Sequence, residues 1–261
     1  KTYECNRWLM KFFFNSSESK EAIIAKKELI KKYGQNNAEK ADIIVPLGGD
    51  GFLLKSLHDY KELNKPFYGI NYGSIGFLMN NINKENLTNI IDKSQKITLK
   101  SLTMKTTNIN NENFESIAFN EVSIMRQSHQ ASKIQIMING IERMKELICD
   151  GVLVSTAAGS TAYNLSAHGT IIPLDSKLLA LTPISAFRPR RWRGALLSEN
   201  LEIKLNIIDS NLRPVSVTAD HSEFRNIKNV EIKSNEADKC TLLFDNEYSM
   251  EERVLKEQFI E

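Results

Sequence analysis

The residues best equipped for chemistry are Leu47-Gly48-Gly49-Asp50-Gly51-Phe52, a glycine cluster around one carboxylate. Asp42-Ile43-Ile44-Val45-Pro46-Leu47 before it reads as a short buried strand. After it, Phe52, Leu53, Leu54, Leu57, Tyr60 and Leu63 recur at helical spacing, with Lys55, Lys61 and Glu62 on the other side. Strand, glycine turn and helix together suit an anion such as phosphate, because bare backbone N–H groups and the positive helix end face it. An aspartate there repels phosphate, so its task must outweigh that cost. It could hold a metal that bridges to the phosphates, or take a proton from a hydroxyl that attacks one. A purely structural turn uses the same residue types.

Three other segments carry candidate chemistry. Gly69-Ile70-Asn71-Tyr72-Gly73-Ser74-Ile75-Gly76-Phe77-Leu78 again follows a strand, and its glycines suit either close backbone approach to a ligand or simple turns. Phe77 reads more readily as core than as a ligand contact, and it is kept among the binding candidates. Asn120-Glu121 interrupts an apolar run, Ile117-Ala118-Phe119 and Val122-Ser123-Ile124. Carboxylate beside amide can recognise a ribose diol, while a strand end with both groups in water is the plain alternative. Residues 150–166, from Asp150-Gly151 to Leu165-Ser166, run from a strand (152–154) into small, hydroxyl-rich residues and a helix starting near Ser160 or Thr161. Small residues let a flat ring lie against backbone and hydroxyls give directional hydrogen bonds, although Ser160 could equally cap a helix. His58, His129, His168 and His221 show no metal-ligand spacing.

These segments need a scaffold. Strands at 12–14, 43–47 and 66–70 alternate with helices at 17–33, 52–63 and 86–92, which predicts a small parallel sheet with helices on its faces. From about Ile97 short alternating strands follow at 97–107, 116–125, 133–138, 141–147, 201–207, 213–219 and 229–233, an all-β segment. Two domains with a cleft between them are expected: an α/β domain, 1–98, joined by the C-terminal segment 237–261, and a β-rich domain of β-sandwich type, 99–236. A C-terminal helix is expected from Ser249 onward.

Composition excludes several classes. A net charge of +2, with lysines mostly interspersed among acids, does not argue for nucleic acid. Cys5, Cys149 and Cys240 are odd in number and far apart, which suggests no zinc site or disulfide framework and points to a reducing cytoplasm. No apolar run approaches the roughly 20 residues that span a bilayer, so no membrane partner is expected.

Taken in order, Gly48-Gly49-Asp50-Gly51, then Gly-x-Asn-x-Gly-x-x-Gly-Phe-Leu at 69–78, then Asn120-Glu121, then Asp150-Gly-x-x-x-Ser-Thr and Gly159-Ser-Thr-Ala-Tyr163, the chain resembles the bacterial NAD kinases over about residues 11–245. The resemblance implies the NAD kinase fold, an α/β domain plus a β-rich domain with the final segment returning to the first. It implies ATP- and divalent-metal-dependent (magnesium) phosphorylation of the adenosine ribose 2′-hydroxyl of NAD, giving NADP. It implies Asp50 as proton acceptor and Gly51 near the dinucleotide phosphates, with Lys55 a further phosphate candidate. Asn120 and Glu121 match the pair at the ribose, and Asp150 matches the acid at the nicotinamide half. Ala158, Thr161, Ala162, Tyr163, Asn164, Leu165 and Ser166 match the loop that holds an adenosine moiety. NAD and ATP are the implied partners, the β-rich domain the implied site of NAD binding and of homodimer or homotetramer assembly, and no protein side chain is assigned to the metal. Two positions depart from the pattern: Ala157 replaces a proline, and Tyr72 stands where a basic or polar residue is common. Losing proline loosens the turn without removing a hydrogen-bonding group. Lipid kinases of the diacylglycerol and sphingosine type share the G-G-D-G turn, but the hydroxyl-rich loop and the lack of an apolar or polybasic patch speak against them. A non-catalytic dinucleotide sensor is the other alternative, which Asp50 disfavours.

Overall fold

The structure is a computed structural model that describes residues 10–73, 76–82, 86–190, 192–245, 252–255 and 259. Cys5, Trp8, Ser74, Ile75 and the expected helix start at Ser249 lie outside the described residues. The chain forms two compact units, one of residues 1–98 with 240–253 and one of residues 99–239 with 254–261.

In the first unit β1 (Phe12–Ser16), α1 (Lys20–Tyr33), β2 (Ile43–Gly48), α2 (Asp50–Tyr60), β3 (Ile70–Asn71) and α3 (Leu87–Lys93) alternate. The three strands form a parallel sheet in the order β1-β2-β3. Every residue of the central β2 is buried, as a parallel strand covered on both faces requires. Phe12, Phe14, Val45, Leu47, Tyr68 and Leu243 share one apolar core. Leu243 comes from the far end of the chain: Phe67 N–H donates to Thr241 O and Leu243 N–H to Phe67 O.

The remaining strands are β4 (Gln95–Asn108), β5 (Asn113–Ala118), β6 (Glu121–Arg126), β7 (Ser132–Ile138), β8 (Ile141–Cys149) and β9 (Gly151–Ser155). After a single turn of helix, α4 (Tyr163–Ser166), come β10 (Leu178–Ile184), β11 (Ala195–Ser198), β12 (Ile203–Ile207), β13 (Val215–Ala219), β14 (Ser222–Phe224) and β15 (Ile227–Phe244). They form two six-stranded sheets, β11-β10-β9-β6-β13-β14 and β5-β4-β15-β12-β7-β8. Val122, Ile124, Val152, Val154, Val215 and Val217 of the first sheet and Leu102, Ile134, Leu147, Leu205 and Val230 of the second belong to one buried cluster. Alternating inward residues of two antiparallel sheets thus build the sandwich core.

The expected fold class stands, with local corrections. Residues 116–125 are two strands in different sheets, because β5 ends at Ala118 and β6 begins at Glu121. The strand expected at 229–233 is part of a longer one, β15, which runs on to Phe244. Strands β10, β11 and β14 were not expected; Pro183 in β10 disguises a strand that nonetheless pairs with β9. The helix expected from 160 is a 3₁₀ turn, Ala158–Thr161, broken at Ala162 before α4.

Candidate active site

In the first unit α2 begins at Asp50, with Gly49 as its N-cap. A carboxylate in the first helical turn is favoured by the positive helix end. Both carboxylate oxygens also accept backbone donors: Phe77 N–H reaches Oδ2 at 2.8 Å and Leu78 N–H reaches Oδ1 at 3.0 Å. The Asp50 carboxylate is therefore held and oriented by two backbone donors at the start of α2.

The second glycine segment explains itself in the same place. Tyr72 N–H donates to Gly48 O at 2.8 Å, and a Cβ on Gly73 would lie 3.0 Å from Gly49 Cα. Glycine there lets two backbones meet and so delivers residues 77 and 78 to Asp50. The Phe77 side chain is buried in the core, and its backbone supplies the contact with Asp50. Tyr72 packs against the apolar core of this unit. Gly51 and Lys55 are exposed on α2.

In the second unit the sheet register gathers the other candidates. Glu121, the first residue of β6, pairs with Ser155 of β9, and Val122 pairs with Ala219 of β13. The strand break at 119–120 is held by Asp220, whose carboxylate accepts N–H from Phe119 (2.7 Å), Asn120 (3.0 Å) and, at the start of β6, Glu121 (3.3 Å). Asp220 opens the β13–β14 turn at φ 49°, a left-handed conformation that aspartate tolerates. The Asn120–Glu121 pair is not solvated as a plain strand end would be. Asn120 Oδ1 and Glu121 Oε2 are buried and have no hydrogen-bond partner among the described residues. Burial, with the Asp220 charge added, pushes the Glu121 carboxyl up to about 7.

The hydroxyl-rich loop differs from expectation in what its hydroxyls do. Thr156 Oγ1 donates to Phe119 O at 2.6 Å and accepts from Gly159 N–H at 3.1 Å. Ser155 donates to Thr156 O, and Ser160 donates to Ala157 O and accepts from Ile172 N–H. Buried hydroxyls must find partners, and these find them inside the loop, pressing it onto the strand break. A Cβ on Gly159 would lie 2.3 Å from Asn120 O, which is backbone and cannot swing away. Asn164 is fully buried and also occupied, donating to Ser160 O and Thr170 O and accepting from Thr182. Ala158 is buried; Thr161, Ala162, Tyr163 and Leu165 are half-buried and Ser166 is exposed, so these offer the loop's accessible surface. Ala157 keeps φ at −59°, the value proline would impose, so the turn survives without the ring.

Asp150 is half-buried and ion-paired with Arg126, Nε to Oδ1 at 2.6 Å. His221 is exposed in the turn after Asp220. Sequence reasoning passed over Asp220, whose only signal was an acid in a short strand-to-strand turn. It also passed over the basic and aromatic run at 187–193, so the expected lack of a polybasic stretch does not hold; the Arg188 and Arg190 guanidinium groups there lie 5.8 and 5.7 Å from the Phe187 ring centre. Among the described residues no three His, Cys, Asp or Glu side chains gather as a metal site.

The α/β unit presents a held carboxylate at a glycine turn, and the β-sandwich unit an amide oxygen and a carboxylate oxygen without partners among the described residues; by its relatives the chain is a phosphotransferase with an alcohol acceptor. Residues 5–98 match the ATP-NAD kinase N-terminal domain and residues 119–233 the ATP-NAD kinase C-terminal domain. The chain is 49% identical to the NAD kinase of Rickettsia felis and 48% identical to that of Brucella suis, each over 94% of this chain and 96% of the relative. Solved structures share the fold: an NAD kinase from Archaeoglobus fulgidus in complex with ATP has a TM-score of 0.74 at 21% identity, over 97% of this chain and 100% of that one. Yeast NADH kinase complexed with NADH has a TM-score of 0.74 at 18% identity, over 91% of this chain and 84% of that one. The chain belongs to the NAD kinase family, as the motif order led us to expect.

Proposed function

We propose that this chain transfers the γ-phosphoryl group of ATP to the 2′-hydroxyl of the adenosine ribose of NAD, forming NADP and ADP. The ribose oxygen forms the new O–P bond, the bond to the β-phosphate oxygen breaks, and the hydroxyl proton passes to Asp50. Phosphoryl transfer is mostly positioning and charge stabilisation, so one oriented acceptor is a sufficient protein contribution to the proton step. Magnesium, when bound, offsets triphosphate charge. The phosphate oxygens are its natural hard ligands, and no protein side chain is assigned to it. Gly51 and Lys55, exposed at the start of α2, are the candidates to face phosphate.

The observation that carries the reading is the buried, unpartnered Asn120 Oδ1 and Glu121 Oε2. Leaving such atoms unsatisfied costs about 1–3 kcal/mol each, and a sugar diol supplies the donors they lack. Ala158 and Thr161 to Ser166 form the small-residue surface for an adenosine ring, and Asp150 serves the nicotinamide half. Assembly into a dimer or tetramer through the β-rich unit and a cytoplasmic setting belong to the same proposal. Exposed Leu196 on the edge strand β11 and exposed Phe187 support the former. Incubation with NAD, ATP and magnesium should yield NADP, read by an NADP-specific dehydrogenase. NAD binding without product would favour the sensor, and neither would favour the lipid kinase.

The Glu121 carboxyl gives a pH prediction. Its proton is held up to about pH 7 when folded, against about 4.3 in an unfolded chain. The folded state therefore binds more protons between those values, and this residue's contribution to stability is present below the lower one and lost as pH rises through the upper. Ribose hydroxyls donate to the ionised form, so NAD affinity should rise as pH passes through about 7. Glu121→Gln should flatten that rise in calorimetric titrations. An unchanged pH dependence in the variant would remove Glu121 from the ribose contact.

A further inference from the structure

We infer that Arg253 is a positioning residue for Asp50, acting through the Phe77–Leu78 peptide; this rests on the proposed role of Asp50 as proton acceptor. Arg253 sits in the short helical stretch 252–255. Its Nη1 donates to Phe77 O at 3.2 Å and to Met79 O at 2.6 Å, and its Nη2 donates to Asn80 Oδ1 at 3.1 Å. Its guanidinium carbon lies 4.8 Å from the centre of the Phe244 ring, stacked over that face.

The geometry matters because Phe77 C=O and Leu78 N–H are opposite ends of one planar peptide. The arginine takes the carbonyl end, while the N–H end donates to Asp50 Oδ1 at 3.0 Å. Fixing one end fixes the rotation of the plane, and a cation on the carbonyl polarises the peptide into a stronger donor. The other end of the segment is anchored separately. Asn80 is fully buried, its side chain donating to Gly69 O and Leu243 O and accepting from Asp245 N–H as well as Arg253. Arg253 therefore acts on the 77–79 stretch, where the amides for Asp50 lie, while Asn80 ties that stretch to the sheet. The cation is too far along the chain for local sequence to suggest the link, 176 residues from Phe77.

An arginine that merely fastens the tail would alter stability alone, so the test is kinetic. Arg253→Met in the full chain should lower kcat at least about tenfold, since small misplacement of a reacting group is costly. KM for NAD and for ATP should stay within about twofold, because ground-state binding does not run through this peptide. Added to Asp50→Asn, the same substitution should cost less than about twofold, since both act through one carboxylate. Arg253→Lys, which can reach one carbonyl, should recover part of kcat, and it carries the test if the methionine variant fails to fold. Unchanged kcat, a loss confined to KM, or a full tenfold fall repeated on the asparagine background would overturn the inference. An Asp50→Asn enzyme with near-normal turnover would instead sink the parent reading. An inactive Asp50→Asn enzyme beside a fully active Arg253→Met enzyme would sink only this inference.

Discussion

Asp50→Asn is expected to lower NADP formation by about a thousandfold, within the range for losing a general base. NAD and ATP affinities should change little. The substitution keeps the size and one acceptor oxygen but removes the charge and the capacity to take a proton. It also carries a stability signature. The two carboxylate oxygens each accept a backbone N–H, from Phe77 and Leu78. An amide must turn its NH₂ toward one of those donors, leaving a donor facing a donor, at about 1–3 kcal/mol. The favourable interaction with the α2 N-terminus is lost as well, worth about 0.3–1 kcal/mol. Turnover should thus collapse while calorimetric NAD titrations remain normal and the melting temperature falls modestly. Near-normal turnover would refute Asp50 as proton acceptor.

Asp220→Ala should be the next most damaging change, through stability and binding together. Its carboxylate accepts the N–H groups of Phe119 and Asn120, which lie in the break between β5 and β6, and of Glu121, where β6 begins. Orphaning these donors costs about 1–3 kcal/mol for each that stays buried, so a loss of about 3 kcal/mol in denaturant unfolding is expected. Alanine also tolerates the left-handed φ of 49° less well than aspartate does. Asparagine keeps an acceptor oxygen and accepts that backbone conformation, so Asp220→Asn should recover much of the stability. Because the Asp220 charge helps hold the Glu121 proton, both variants should move the pH midpoint of NAD binding below about 7. Unfolding of Asp220→Ala within about 0.5 kcal/mol of the parent, the usual scale of surface substitutions, would exclude the role.

These two residues mark how far the sequence could be read. Asp50 was legible because its signal is local: β-branched strand, glycines and helical periodicity lie within a dozen residues of it. Asn120-Glu121 was legible as a polar interruption, but its environment was not. Whether the pair sat in water or in the interior depended on a strand break between two sheets, and local propensity does not encode which sheet a strand joins. The hydroxyls of Ser155, Thr156 and Ser160 show the converse limit. Their types suggested ligand contacts, yet each has partners within the folded loop and its neighbours. Residue type records a capacity to hydrogen-bond and leaves the partner open.

The sequence alone determined the order of elements, the α/β-then-β composition, the glycine turn and the family, all of which rest on residues close together in the chain or on motifs in fixed order. Tertiary structure alone decided how the candidate site residues are held. Asp50 is oriented by amides 27 and 28 residues away, the strand break by an aspartate about a hundred residues away, and the 77–79 stretch by an arginine 174 residues or more away. Register and packing set those partnerships, and the local backbone preferences a sequence reveals do not.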